Sequence, residues 1–250
     1  MTFVHDTLIV FNRSLRLSLR NPTWVIIGLT QPILYLLLFG PLLKPLAGSL
    51  GGNAWQVFVP GMLVQLGIFG GMFVGFGLIA EYRAGVIESM RVTPASRVSL
   101  LLGRVLRDVL VLLVQATLLT LVAIPLGLRA PVGGVLVALL VVALLGGAFS
   151  AVSYAVALTL KSEDALAPLL NGVAVPLLLL SGILLPMSLA PLWLQRVSDV
   201  NPLKHVVEGL RAQFRGDLTS STAVWGLVAT VALVVVCMWF GARTFRRESA

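Results

Sequence analysis

Six stretches of this chain run for about twenty residues with almost no charged side chain: 23–43, 57–80, 105–128, 132–160, 166–185 and 223–241. That is the length an α-helix needs to cross a hydrocarbon core about 30 Å thick. The runs are too long for barrel strands and lack their period-two alternation. Because lipid offers no water to exposed amide groups, each run has to satisfy its own backbone as a helix. Composition points the same way. The chain is 58% hydrophobic and 11% charged, whereas soluble domains carry about 25% charged residues. The sequence therefore predicts an all-α, polytopic membrane protein: a single transmembrane domain over 1–250, with its apolar surface turned to lipid. The first run exceeds the apolar core of a cleaved signal peptide, about 7–15 residues, and reads as a retained span.

The net charge of +8 does not indicate nucleic acid, because the basic residues sit at span ends and never form a run of five. With the N-terminus inside, twelve of the Lys and Arg residues fall on cytoplasmic segments and six on outer ones. This bias places both termini in the cytosol. Fifteen arginines against three lysines fit a GC-rich bacterial genome, and a bacterial cytoplasmic membrane is the expected location.

Three segments between the spans carry pattern of their own. In 1–22, Leu8, Phe11, Leu15 and Leu19 recur at helical spacing, and Arg13, Arg16 and Arg20 form a second stripe. This predicts an amphipathic helix at the membrane interface with its arginines towards lipid phosphates; the alternative is a positive flank that only sets topology. Segment 81–104 carries mixed charge and a Thr93-Pro94 stop, more than a simple reversal of the chain requires. Glu81, at its membrane boundary, is expected to pair with Arg83 or with a basic residue of the interfacial helix. In 187–222, Asn201-Pro202 opens a segment with Leu203, Val207, Leu210 and Phe214 on one stripe and Lys204, Glu208, Arg211 and Arg215 on the other. A short helix lying against the outer face is expected there.

Within the spans, Gly67, Gly70, Gly71, Gly75 and Gly77 allow close helix approach. Gln65, Phe69 and Phe73 repeat every four residues along one face, Gln31-Pro32 interrupts the first span, and Pro176 is expected to kink the fifth, which also holds Asn171 and Ser181. Gly146-Gly147 and Ser150 are candidate bends in the fourth. No repeat relates the two halves, which disfavours inverted-repeat carriers.

Catalytic chemistry is missing. No phosphate-cradling loop exists, since the chain has no Gly-Lys dipeptide. His5 and His205 are the only histidines and Cys237 the only cysteine, so no metal-ligand cluster or intrachain disulfide is expected. Every Asp and Glu lies at a span boundary or in a loop, which disfavours an ion-coupled carrier. Energy would have to enter from outside, and 81–104 is the place to receive it.

That segment resembles the permeases of ABC type-2 exporters, which carry Glu-x-x-x-Gly-x-x-Glu, then Thr-Pro, then Gly-Arg/Lys before the third span. Glu81, Gly85, Glu88, Thr93-Pro94, Gly103 and Arg104 match. Asn201-Pro202-Leu203, after Pro191-Leu192-Trp193-Leu194, is similar to the family's last outer loop. The chain looks most like the daunorubicin-resistance type of drug-export permease.

The resemblance implies two six-helix subunits, a homodimer in the simplest case, each on a separate ATP-binding subunit that holds ATP and Mg; this chain itself would bind no cofactor. Contact with the ATPase would be made by a coupling helix using Glu81, Arg83, Gly85, Val86, Ile87, Glu88, Met90, Arg91, Thr93 and Pro94. The alternative is a solvated helix that serves topology alone. A path between subunits would be lined from the second and fifth spans, with Gln65, Phe69, Phe73, Asn171 and Ser181 as candidates; these residues equally suit plain helix packing. An apolar path fits an amphiphilic small-molecule substrate, a drug, antibiotic or lipid. The alternatives are a polysaccharide or lipid-linked glycan exporter and a scaffold that transports nothing.

Overall fold

The computed structural model of the chain describes residues 3–20, 23–43, 45, 53–85 and 97–247, and these contain helices and short turns but no strand. The helices are α1 (Phe3–Arg20), α2 (Thr23–Leu43), α3 (Ala54–Met72), α4 (Gly75–Arg83), α5 (Arg97–Leu126), α6 (Val132–Leu160), α7 (Glu163–Leu180), α8 (Leu192–Asp199), α9 (Pro202–Arg215) and α10 (Ser221–Arg247). Six segments are long and apolar enough to cross a membrane: Val25–Leu42, Ala54–Arg83 (α3 with α4), Val98–Leu126, Val132–Leu160, Glu163–Leu180 and Ser221–Gly241. The chain is an all-α, polytopic membrane protein. Its lipid-facing surface is plain on α6 and α10, where Val132, Leu136 and Leu140, and Trp225, Val228, Val231 and Val235, stand exposed at helical spacing.

Three boundaries differ from the sequence reading, each for a local reason. α5 begins at Arg97 rather than 105, because α1 packs along its first turns: Ser99 is buried and Gly103 lies against Thr7 and Val10. α7 begins at Glu163, with Glu163 and Asp164 in its first turn, where the helix dipole favours carboxylates. It stays helical through Pro168 and Pro176 and ends at Ser181, before Gly182 at φ +70°. The second span is two helices. Between them, Ser153 of α6 accepts a hydrogen bond from Gly75 N–H (3.0 Å) and donates to Met72 C=O. A hydroxyl inserted into the backbone ladder is a recognised cause of a helix break.

α3 is the central helix, packed against α2, α5, α6 and α9. Lipid tails are as apolar as leucine, so helices associate in a bilayer through close packing and polar bonds rather than by burying apolar surface from water. A Cβ on Gly71 would stand 2.6 Å from Gly146 C=O of α6, so no larger residue fits without moving the helix. α9 and α10 cross as closely, a Cβ on Gly209 falling 2.7 Å from Gly226 Cα. Gly77 does not join this packing: it meets nothing within 4 Å, being two residues round α4 from the packed Gly75 and so on its opposite face. Gly146, Gly147 and Ser150 do not break α6, which is continuous; all three are buried in its packed face.

The bundle has two distinct ends. One carries α1, the C-terminus of α4, the N-terminus of α5 and the α6–α7 turn; the other carries the α5–α6 hairpin and α9. At the second end Asn53 caps α3 and donates to Gly127 C=O (2.8 Å), tying α3 to the hairpin. The largest departure from the sequence reading is at α9, whose polar stripe is mostly covered: Lys204 and Glu208 are half-buried and only Arg215 is exposed. Leu203, Val206, Val207, Leu210 and Phe214 are buried, and so is Arg211, expected on the exposed stripe. The helix folds back into the bundle between α3 and α10. The small Gly209 and the hydrogen-bonding of Arg211, described next, make that possible.

Candidate functional site

At the α1 end, charged side chains from α4, α5, α7 and the α6–α7 turn converge around the two stems of the 81–97 segment. Glu81 of α4 accepts from Arg104 of α5 at 2.6 Å, with the arginine 8% exposed. This corrects the expected pairing of Glu81 with Arg83 or the N-terminal helix. The α5 N-terminus, folded longer than the apolar window implied, delivers Arg104 first. Arg83 instead reaches Glu163 of α7 (3.4 Å), and Lys161 in the α6–α7 turn stands 5.4 Å from the Tyr82 ring centre. One helical turn along α5, Asp108 is only 3% exposed; it pairs with Arg107 (3.2 Å) and accepts from Tyr154 of α6 (2.5 Å). A buried acid here departs from the sequence reading, which placed every carboxylate at a boundary or in a loop. The polar core it joins runs from α4 through α5 to α6.

These contacts differ in strength. Arg83–Glu163 is solvent-exposed and contributes at most about 1 kcal/mol. Glu81–Arg104 is a short charge-assisted bond with one partner buried, a class that contributes about 1.5–3 kcal/mol. The tight link between the stems is therefore Glu81–Arg104. Gly85 ends α4 at φ +71° and meets no described residue within 4 Å, so the positive φ is what calls for glycine there. Val86, Ile87, Glu88, Met90, Arg91, Thr93 and Pro94 lie outside the described residues.

The path candidates are distributed over three settings. Gln65 is 2% exposed inside the bundle, and its Oε1 has no partner among the described residues. Phe69 and Phe73 are half-buried and stacked at 5.7 Å, and Phe73 stacks on Phe76 at 5.9 Å, so the ring column crosses the α3–α4 break. Asn171 is exposed and donates to Ala167 C=O of its own helix (3.0 Å); Ser181 is buried and donates to Leu178 C=O (2.7 Å). No described hydrogen bond or ring contact joins the α3 group to either α7 residue. Sequence reasoning missed Phe76, which breaks the four-residue repeat because the helix does. It also missed the Gln31–Tyr35 pair of α2, where the amide donates to the phenol oxygen (3.2 Å); the i, i+4 spacing was the available signal.

The third group, Arg13, Arg16 and Arg20, stands exposed along α1 around a shallow groove also lined by Ile9, Asn12 and Leu17. The most constrained polar group is at the opposite end. Arg211, 4% exposed, donates from Nε to Val57 C=O of α3 (2.8 Å) and from Nη2 to Gly182 (2.8 Å) and Ile183 (3.2 Å) in the turn after α7. Backbone carbonyls, not a carboxylate, hold this cation. Among the described residues no group of three or more His, Cys, Asp or Glu side chains is placed to hold a metal.

The chain is matched at family level over most of its length. Residues 5–214 fit the family model described as ABC-2 type transporter. The chain belongs to the ABC-2 type transporter family. Among similar proteins, the daunorubicin resistance ABC transporter permease protein DrrB1 of Streptomyces coeruleorubidus is 27% identical over 255 residues, covering 100% of this chain and 89% of that one. The probable doxorubicin resistance ABC transporter permease protein DrrC of Mycobacterium tuberculosis is 27% identical over 250 residues, covering 99% and 90%. A putative transport permease, ycf38, of Cyanophora paradoxa is 28% identical over 214 residues, covering 84% and 74%. This ABC-2 family member is thus a multi-pass membrane permease subunit of the ABC class.

Proposed function

We propose that this ABC-2 permease exports an amphiphilic or hydrophobic compound across a bacterial cytoplasmic membrane, driven by a separate ATPase subunit. Two copies of the chain pair, each seated on one ATP-binding subunit, and both termini face the cytosol with the α1 end. Glu81, Arg83 and Gly85, with the segment through Pro94, dock the ATPase, and Glu88 and Arg91 are the polar contacts within it. The observation that carries this reading is the Glu81–Arg104 bond together with the Arg107–Asp108–Tyr154 group one turn along the same helix, α5. A push on the first loop reaches α5 and α6 through those bonds, and α7 through Arg83–Glu163.

A second observation supports a path away from lipid. Thr30 and Gln31 of α2 and Asn171 of α7 are exposed on otherwise apolar spans. Polar side chains in a bilayer favour a protein neighbour or a water-filled cavity over lipid tails. α7 is packed lightly against the rest, as a moving wall of such a path has to be. Gln65, Phe69, Phe73 and Ser181 then line or support that wall.

The test is reconstitution of the chain with its cognate ABC ATPase subunit in sealed vesicles. Addition of amphiphilic drugs is expected to stimulate ATP hydrolysis, and ATP to drive drug accumulation in inside-out vesicles. Joint replacement of Glu88 and Arg91 by alanine is expected to abolish that stimulation while the two subunits' separate folds persist. Cargo movement by the permease alone on an ion gradient refutes the reading. Stimulation by lipid-linked glycans and not by drugs reassigns the substrate.

A further inference from the structure

α1 presents three separate faces, and together they specify a surface. At about 100° per residue, Asp6, Thr7, Val10 and Ser14 fall on one face. That face is buried or half-buried against α5, where Thr7 and Val10 cover Gly103. Val4, Leu8, Leu15 and Leu19 fall within a second arc of about 60°; of these Val4, Leu8 and Leu19 are exposed, Leu19 at 71%. Arg13, Arg16 and Arg20 fall within a third arc, centred about 120° from the leucines. α1 therefore does not turn its leucines to the protein; it docks through small residues and leaves both the apolar and the basic stripe uncovered.

Among the described residues the charge of these arginines is uncompensated. At the same end of the molecule Arg83, Arg104 and Arg107 each pair with a carboxylate, whereas no described carboxylate lies within bonding distance of Arg13, Arg16 or Arg20. They span about 10 Å along the helix axis and surround a groove of about 450 Å³ whose other walls are Ile9, Asn12 and Leu17. A groove with three fixed cations and an apolar floor suits a bulky anion that also carries hydrocarbon. An exposed leucine stripe about 120° away is satisfied at the same time only where water and acyl chains meet.

We propose that the Arg13–Arg16–Arg20 face of α1 is a binding site for the headgroups of anionic phospholipids, selecting them over zwitterionic ones. The proposal rests on the membrane assignment of the chain and not on its transport activity. It gives the N-terminal helix a ligand of its own, on a face next to the one that packs on Gly103 of α5. Because Gly103 precedes Arg104, an anionic lipid that holds α1 in place also steadies the stem bonded to Glu81.

The test uses the full chain in nanodiscs of phosphatidylcholine with a minor fraction of phosphatidylglycerol, followed by native mass spectrometry of the lipids retained after ejection. Wild-type protein is expected to retain phosphatidylglycerol well above its bulk fraction. Triple replacement of Arg13, Arg16 and Arg20 by glutamine is expected to lower that enrichment about tenfold or more, since each cation near an anionic surface contributes about fivefold. Triple replacement by lysine is expected to keep most of it, which also covers the case that the glutamine variant fails to fold. Raising NaCl from about 0.1 to about 1 M, which shortens the Debye length from about 10 to about 3 Å, is expected to erode it. Neutralising Arg129, Arg196 and Arg215, exposed at the other end, is expected to leave most of it. Enrichment unchanged in the glutamine variant overturns the proposal. So does a variant that keeps its lipid and loses its ATPase subunit, which would make the stripe a protein contact. Either result leaves drug-stimulated ATP hydrolysis, and so the exporter reading, to stand or fall by its own assay.

Discussion

Replacing Arg211 with leucine removes three hydrogen bonds at once and leaves their acceptors inside the protein. The Gly182 and Ile183 carbonyls lie in the turn after α7, where no described backbone N–H donates to either. A hydrogen bond to a charged group contributes about 1.5–3 kcal/mol, and a buried carbonyl stripped of its donor costs about 1–3 kcal/mol. Leucine returns part of this by sparing the desolvation of a cation. With two carbonyls orphaned, the net loss is set at about 3 kcal/mol. For a protein of this length that corresponds to a fall in apparent Tm of roughly 6–12 °C. The assay is thermal unfolding of purified protein in a mild detergent, followed by loss of monodisperse material. Arg211→Lys tests the geometry: an ammonium cannot reproduce the planar fork that reaches α3 and the α7 turn together, so lysine is expected to recover less than half of the loss. A leucine variant within about 2 °C of wild type, or a lysine variant equal to it, refutes the reasoning.

Gly61→Ala places a Cβ 2.3 Å from the Ile183 carbonyl and is expected to lower apparent Tm, whereas Gly77→Ala meets open space and is expected to be neutral or stabilising by up to about 1 kcal/mol; a double-blind melting comparison of the two checks this. A double-mutant cycle on Glu81→Gln and Arg104→Gln is expected to give a coupling of about 1–2 kcal/mol in stability, while the same cycle on Arg83 and Glu163 gives under about 1 kcal/mol. Equal coupling for the two pairs contradicts the assignment of the tight stem contact. The Lys204 ammonium, hydrogen-bonded to Asp199, holds that carboxyl below the usual carboxylate range. A depressed folded-state pKa makes its contribution present above the unfolded value, about 3.9, and lost as pH falls through the folded value. The Tm difference between wild type and Asp199→Asn is therefore expected to be small at neutral pH and to vanish in acid; a difference that grows on acidification opposes it.

The six spans were legible in the sequence because a bilayer demands a fixed apolar length, which neighbouring helices do not alter. Val132–Leu160 coincides with its expected run for that reason, bounded by Pro131 on one side and Lys161 on the other. Glu81, Gly85 and Arg104 stood out because they match the pattern of the family that the segment resembles. Which partner each charge takes did not. Arg104 was read as part of a loop and Arg211 as part of an exposed stripe, since amphipathic spacing reports that a helix has two faces but not what covers them.

What the residues alone determined was the solvent of this protein, the number of its crossings and the place where its charges gather; these depend on the length and polarity of contiguous segments. Only the tertiary structure decided that α9 enters the bundle, that Ser153 splits the second span and that α1 docks by its small residues. Each of those outcomes turns on a contact between segments far apart in the chain: Arg211 with Val57 and Ile183, Ser153 with Met72 and Gly75, Gly103 with Thr7 and Val10. Where lipid equalises the burial of apolar surface, such close approaches and hydrogen bonds choose among helix arrangements that hydropathy cannot distinguish.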